Sequence, residues 1–115
     1  MIDEADVVAR LGALAHPARL QAFRLLVAAG PGGVPSGEIA ETLQVPPTAM
    51  SFHLSALERS GLVAARREGR HIFYAAQFEQ VRRLLAFLTE DCCGGLPELC
   101  GGPPVTKKRL REEKV

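Results

Sequence analysis

The sequence predicts a mainly α-helical domain with one β-hairpin, in the order helix, helix, helix, helix, hairpin, helix. Three observations predict it. Apolar residues recur at helical spacing, proline and glycine interrupt the chain at short intervals, and two short β-like runs meet at a glycine. At 115 residues the chain has the length of one domain. With no Trp and one Tyr, its core has to be aliphatic, with five Phe as its bulkiest members.

The first three helices are predicted from apolar spacing and from the residues that start and end helices. The first covers residues 3–14, with acidic residues in the first turn, where the helix dipole favours them. The second begins at Pro17, a favourable first helical residue, and stops at Gly30. After a loop rich in glycine and proline, Ser36 is expected to cap a short third helix. The apolar residues expected to face inward on the second helix are Leu20, Phe23, Leu26 and Val27.

The fourth helix and the hairpin complete a recognisable motif. Pro46-Pro47 starts the helix, and Gly61 ends it in a position that favours the left-handed conformation. The strands are predicted over residues 62–67 and 70–75, joined at Glu68-Gly69. Two short helices with a tight break between them, followed by a two-stranded ribbon, are typical of a winged helix-turn-helix.

At 100° per residue, the fourth helix separates into an apolar and a polar face. The apolar face holds Met50, Leu54, Leu57 and Gly61. The other face holds Thr48, Phe52, Ser55 and Arg59, with Ser51 on its flank. Hydroxyl groups at the start of a helix can reach base edges or phosphates in a major groove, and Phe52 can contact a thymine methyl group. Arg59, near the helix end, is expected to contact phosphate. The alternative is a surface helix without a partner, although an outward phenyl ring favours a partner.

The net charge of +1 argues against nucleic-acid binding until the charge is located along the chain. Residues 45–75 hold four Arg against two Glu, and the tail from Lys107 holds five basic residues against two acidic ones. The remainder of the chain carries more acidic than basic residues. Arg66, Arg67 and Arg70 flank the hairpin tip, where a wing contacts the DNA backbone or minor groove. A solvated turn is the alternative interpretation of the hairpin.

Two histidines near these helices are interpreted as structural. His53 lies between the apolar and polar faces of the fourth helix, so a hydrogen-bonded boundary residue is favoured over a base contact. His16, directly before Pro17, is interpreted as a helix-start residue.

All three cysteines lie within nine residues, at Cys92, Cys93 and Cys100. Thiolates select soft ions, and three of them neutralise a trivalent, three-coordinate ion such as As(III) or Sb(III). A structural zinc site would use four ligands, and no fourth Cys exists. A redox switch through a Cys93–Cys100 disulfide is an alternative. A thiol enzyme is another, although the chain lacks C-x-x-C and a nearby His base.

Three runs of sequence resemble the ArsR/SmtB family of metal-responsive repressors in order and spacing. They are LAHPARLQAFRLL (14–26), SFHLSALERSGLV (51–63) and RREGRHIFY (66–74). The resemblance covers about residues 7–90. It implies a homodimer formed mostly by the first and last helices, which binds a two-fold symmetric double-stranded DNA operator.

The resemblance also assigns individual residues. It implies a DNA-reading helix over residues 47–60, with Ser51 as the best-matched position, and a wing arginine at Arg67 or Arg70. It further implies the preference for As(III). Family metal sites with C-x-C before the reading helix, or with His on the last helix, have no counterpart in this sequence.

Burial also favours a dimer. Little in so small a chain can cover the apolar positions of the first and last helices, the last predicted over residues 77–90. These positions are Val7, Leu11, Leu14, Phe87 and Leu88. A two-fold dimer would cover them and set two reading helices about one DNA turn apart, roughly 34–36 Å.

The sequence therefore predicts a homodimeric repressor, and not an enzyme, that leaves its operator when As(III) or Sb(III) binds the three cysteines. No organic cofactor and no membrane contact are expected. Without a signal peptide or an 18-residue apolar run, a cytoplasmic protein is expected. The expected organisation is a DNA-binding and dimerisation domain over 1–91, a cysteine cluster over 92–100 and a flexible basic tail over 101–115. A thiol-redox-sensing repressor and a constitutive architectural DNA-binding protein stay as alternatives.

Overall fold

The computed structural model describes residues 3–89, and within them it confirms a mainly helical fold with a hairpin wing. The helices are α1 (Glu4–Leu14), α2 (Pro17–Ala29), α3 (Ser36–Leu43), α4 (Pro47–Ser60) and α5 (Phe78–Thr89). The strands are β1 (Val34–Pro35), β2 (Val63–Glu68) and β3 (His71–Ala76). The chain divides between Arg83 and Leu84 into two units, and the second is described only to Thr89.

The first unit is organised around α4, which packs against α1, α2, α3 and β2. The core is largely aliphatic, as the composition predicts, but the five Phe expected as its bulkiest members are all at least partly exposed. The largest fully buried side chains are Leu26, Ile39, Met50, Leu54, Leu57, Leu62 and Val63. Three of the seven lie on α4, so the helix expected to contact DNA is also the centre of the core.

Side-chain caps explain where α1 and α2 begin. The Asp3 side chain accepts from the Asp6 N–H and begins α1, and the His16 Nδ1 accepts from the Ala18 N–H and begins α2. His16 is thus the helix-start residue that the sequence predicts. The expected Ser36 cap is wrong: Pro35 is the cap residue and no side chain closes this end, because Ser36 is already the first helical residue.

The sheet has three antiparallel strands in the order β1-β3-β2, one strand more than predicted. The short β1 lies in the predicted loop and pairs Val34 with Tyr74 of β3. The hairpin is displaced by one residue from the prediction. Glu68 pairs with His71, so the two-residue turn is Gly69-Arg70, and Gly69 adopts a φ of 63°.

The predicted apolar stripes are only partly buried. On α2, Leu26 is buried, but Leu20 and Val27 are exposed and Ala22 takes the inward place. On α1, Val7 is buried within the chain, which removes it from the residues expected to need a second copy. The prediction failed there because apolar spacing marks a face of the helix without saying which part of it a neighbouring element covers.

Candidate DNA-binding surface

Helix α4 is fixed in orientation by its ends and by its apolar face. Pro47 occupies the first helical position, and Gly61 closes the helix in the left-handed conformation with a φ of 92°. Met50, Leu54 and Leu57 are buried along one side, as predicted. Since the core holds that side, the opposite side is presented to solvent.

The opposite side of α4 forms one continuous surface. Together with Pro47, every α4 residue predicted to contact DNA lines a single shallow depression: Thr48, Ser51, Phe52, Ser55 and Arg59. We call these five residues the reading face. Phe52 is 61% exposed, so a large apolar group lies among hydroxyls and no residue of 3–89 covers it. The structure brings the predicted residues together, while their contact with DNA stays a prediction.

The start of α2 packs beside the reading face. His53 is half-buried and its Nδ1 accepts from the Arg19 Nε at 3.1 Å, which confirms a hydrogen-bonded boundary histidine. The Arg19 guanidinium lies 5.7 Å from the centre of the Phe52 ring. Burial, with the charges of His16 and Arg19, lowers the pKa of His53 and keeps its Nδ1 free to accept. The sequence prediction missed Arg19, because no local pattern joins residues 34 positions apart.

The three wing arginines differ in their contacts. The Arg66 Nε lies 2.6 Å from a Glu68 carboxylate oxygen, and an Nη donates to the Gly32 carbonyl at 3.1 Å. Its guanidinium also lies over the ring of Phe73, so Arg66 connects the wing to the loop before β1. Arg67 and Arg70 are exposed, and their side chains form no hydrogen bond or ion pair with any residue of 3–89. These two are therefore the wing cations available to a DNA phosphate.

The carboxyl end of α4 is held by two residues that the sequence analysis did not single out. Arg10 of α1 is only 9% exposed, and its Nε donates to the Ser60 carbonyl at 2.9 Å. Gln77, directly before α5, donates from its side chain to the Gly61 carbonyl at 3.2 Å. Arg10 was detectable, because it lies three residues after buried Val7 on the same stripe. The end of α4 is therefore tied to α1 and to the residue that precedes α5.

Cys92, Cys93 and Cys100 lie outside the described residues, as do the predicted tail and Glu90, the expected end of the last helix. Within residues 3–89, no group of three or more His, Cys, Asp or Glu side chains is placed to hold a metal ion. No helix in the same part of the chain is long and apolar enough to cross a membrane.

Comparison with known proteins gives a consistent result. The sequence model of a protein family described as a helix-turn-helix domain matches residues 14–66. The chain is 31% identical to the transcriptional activator HlyU of Vibrio cholerae over 91 residues, which are 79% of this chain and 82% of HlyU. The structure of reduced HlyU superposes with a TM-score of 0.60, covering 75% of this chain and 87% of that one.

Two further solved structures are similar. One is the homodimeric winged helix-turn-helix DNA-binding domain of Mb0332 from Mycobacterium bovis, a possible ArsR-family regulator. It is 40% identical, with a TM-score of 0.60 over 75% of this chain and 78% of that chain. The other is a possible transcriptional regulator for arsenical resistance, 25% identical, with a TM-score of 0.63 over 83% of this chain and 96% of that chain.

These relatives are regulators of transcription and not enzymes, as predicted for this chain. The α4 surface, the hairpin wing and the similarity to HlyU agree with the sequence runs that resemble one family. The chain belongs to the ArsR/SmtB family of winged helix-turn-helix transcriptional regulators.

Proposed function

We propose that this chain is a homodimeric repressor that leaves its operator DNA when As(III), or Sb(III), binds Cys92, Cys93 and Cys100. The observation that carries the proposal is the cysteine pattern: three thiols within nine residues and none elsewhere in the sequence. Three thiolates neutralise a trivalent, three-coordinate ion and leave no fourth ligand for zinc. Similarity to a possible transcriptional regulator for arsenical resistance supports arsenic over other soft ions.

The proposed operator contacts come from the reading face and the wing. The hydroxyls of Thr48, Ser51 and Ser55 reach base edges or phosphates, and Phe52 contacts a thymine methyl group. Arg59 lies in the last turn of α4 and contacts phosphate. Arg67 and Arg70 supply further phosphate contacts from the wing. Their lack of partners within residues 3–89 supports this role.

The proposed dimer uses apolar side chains that the other residues of 3–89 leave exposed to solvent. Val8 of α1 is 62% exposed and Leu11 on the same helix is also exposed. In the described part of the second unit, α5 carries exposed Leu85, Phe87 and Leu88. Covering such side chains with a second copy removes apolar surface from water, at about 25 cal/mol per Å². Similarity to the homodimeric Mb0332 domain supports the same assembly.

The described contacts suggest how ligand binding reaches the DNA. Arg10 and Gln77 tie the end of α4 to α1 and to the start of α5, the helices proposed for the dimer interface. A change at the interface therefore changes the placement of α4 in each protomer. For release, the ion has to bind the free form more tightly than the DNA-bound form, by a coupling free energy of about 1–3 kcal/mol.

The binding of As(III) to the reduced protein tests the proposed site. We expect one ion per chain, which means two per dimer, with release of thiol protons on binding. Cys100→Ser removes one of three ligands and should weaken binding strongly. The variant with all three cysteines replaced by serine provides the blank. Equal binding by wild type and Cys100→Ser would exclude the three-thiolate site.

A thiol-redox-sensing repressor is the second candidate, and one observation favours it. A solved relative, HlyU, is described in its reduced form, and Cys93 and Cys100 are far enough apart in sequence for a disulfide. Mass spectrometry after treatment with mild peroxide should then show the loss of two hydrogens from the chain, and a digest should contain a Cys93–Cys100 disulfide. If operator affinity falls with that oxidation and not with As(III), the redox function replaces the metalloid one.

A further inference from the structure

Four side chains meet where the start of α2 packs against the reading helix. The Arg19 Nε donates to the His53 Nδ1 at 3.1 Å, and the Arg19 guanidinium lies 5.7 Å from the centre of the Phe52 ring. The His16 ring lies 4.5 Å from the His53 ring, and its Nδ1 caps α2. Arg19 is thus held by α4 and contacts the aromatic member of the reading face.

A phenyl ring on an exposed helix face is free to change rotamer unless a neighbour restrains it. Phe52 is mostly exposed, and the ring contacts found for it are the guanidinium of Arg19 and the edge of His53, 6.1 Å between centroids. A cation over an aromatic face at an exposed site favours that arrangement by about two- to fivefold. His53 and Phe52 are neighbours on α4, so the hydrogen bond from Arg19 to His53 also fixes the guanidinium relative to the Phe52 ring.

We propose that Arg19 is a positioning residue for base recognition, which holds the Phe52 ring at the angle where it contacts a thymine methyl group. This proposal rests on the proposed role of the reading face in operator binding. Apolar contact with that methyl group distinguishes thymine in the major groove. A ring that is already oriented loses less side-chain freedom on binding, so the preferred base pair gains affinity over the others.

The arrangement depends on a neutral His53, because a protonated imidazole has no acceptor nitrogen. The charged or titratable groups that face His53 are Arg19 from α2 and His16 from the residue before α2. Phe52 is its neighbour on α4. Burial and these two groups lower the pKa of His53, so the acceptor is present at neutral pH and is lost as the pH falls. Base discrimination by Phe52 should fall over the same range.

A phosphate contact by Arg19 would look different. It would raise affinity for every DNA sequence alike and would contribute about −0.9 per half-site to the slope of log K against log salt concentration. Positioning of Phe52 changes the ratio of affinities for two DNA sequences and leaves the salt dependence unchanged. Arg24, an exposed arginine on the same helix, provides the matched control because it forms no hydrogen bond to His53 and no cation–π contact with Phe52.

The experiment starts with selection of a preferred duplex from a random DNA library by the wild-type dimer. Affinities are then measured for this duplex and for variants with each base pair of both half-sites replaced in turn. We expect Arg19→Ala to lower discrimination about two- to fivefold per half-site at one base pair. Phe52→Leu should affect that same base pair, and Arg24→Ala should affect none.

Two further variants test the positioning role of Arg19 even if Arg19→Ala folds poorly. Arg19→Lys keeps the charge but lacks the planar guanidinium fork, so it should retain overall affinity and lose discrimination. His53→Asn offers an amide oxygen that does not titrate, so it should retain discrimination at low pH where wild type loses it.

The outcomes separate this inference from the proposed function. A uniform loss of affinity in Arg19→Ala with a shallower salt dependence would make Arg19 a phosphate contact and overturn the positioning role. Unchanged discrimination in Arg19→Ala and Arg19→Lys would overturn it as well. Selection of no preferred sequence by wild type would instead contradict operator recognition itself.

Discussion

Replacement of Arg67 by alanine tests whether the wing contacts the DNA backbone. Arg67 is exposed on β2, and its side chain has no ionic or hydrogen-bonding partner within residues 3–89, so its truncation should leave the fold intact. Each phosphate that a protein neutralises contributes about −0.9 to the slope of log K against log salt concentration. A homodimer presents two wings, so Arg67→Ala should make this slope shallower by about 1.8.

The size of the effect can be stated as an affinity. Over a fourfold rise in salt, from about 50 to about 200 mM, a slope difference of 1.8 corresponds to about 12-fold. Wild-type affinity should therefore fall about 12 times more than that of the variant across this range. Fluorescence anisotropy with a labelled operator, at four salt concentrations and constant pH, measures both slopes.

Arg66→Ala is the matched control on the adjacent position. Arg66 already contacts Glu68, the Gly32 carbonyl and the Phe73 ring, so its replacement should change wing stability rather than the salt slope. If Arg67→Ala has the wild-type slope, or if Arg66→Ala changes the slope equally, the assignment of free and engaged wing cations is wrong.

The remaining predictions concern backbone strain, pH and dimerisation. Gly33→Ala should lower the free energy of unfolding by about 2–4 kcal/mol and Gly69→Ala by about 1–2 kcal/mol. Both residues have positive φ, but of the two only Gly33 would bring a Cβ against the Tyr74 carbonyl oxygen, at 2.8 Å. Equal losses of unfolding free energy for the two variants in urea would refute this. Burial and nearby cations lower the pKa of His53 in the folded protein, so the unfolded chain binds the His53 proton more tightly than the folded chain does. The free energy of unfolding should therefore fall as the pH drops below about 6.5. His53→Asn should flatten that dependence in thermal unfolding, and an unchanged pH profile would contradict it. Leu11→Glu puts a charge on an exposed apolar position of α1, so sedimentation should show a shift from dimer to monomer. A dimer of unchanged stability would mean that Leu11 lies outside the interface.

The sequence predicted most about α4, for a physical reason. Its apolar and polar faces are set by side-chain periodicity within one helix, and the residues that end it, Pro47 and Gly61, act locally. Met50, Leu54 and Leu57 are consequently buried as expected, and the reading face is continuous.

Features that depend on distant residues were not predictable in the same way. The two-residue β1 forms only because β3 supplies its partner, Tyr74, forty residues later. The observed hairpin turn lies one residue further along the chain than predicted. Its position is set by pairing along the whole of β2 and β3 and by the positive φ of Gly69. The contact of Arg19 with His53 depends on the packing of two helices, which residue spacing does not encode.

Operator binding titrated with As(III) tests the central claim most directly. The reduced wild-type dimer and Cys100→Ser would be compared on the same labelled duplex. A coupling free energy of about 1–3 kcal/mol predicts that saturating As(III) weakens wild-type affinity by about 5- to 150-fold and leaves Cys100→Ser nearly unaffected. Unchanged wild-type affinity, with the protein shown to be reduced and bound to DNA, would contradict the account.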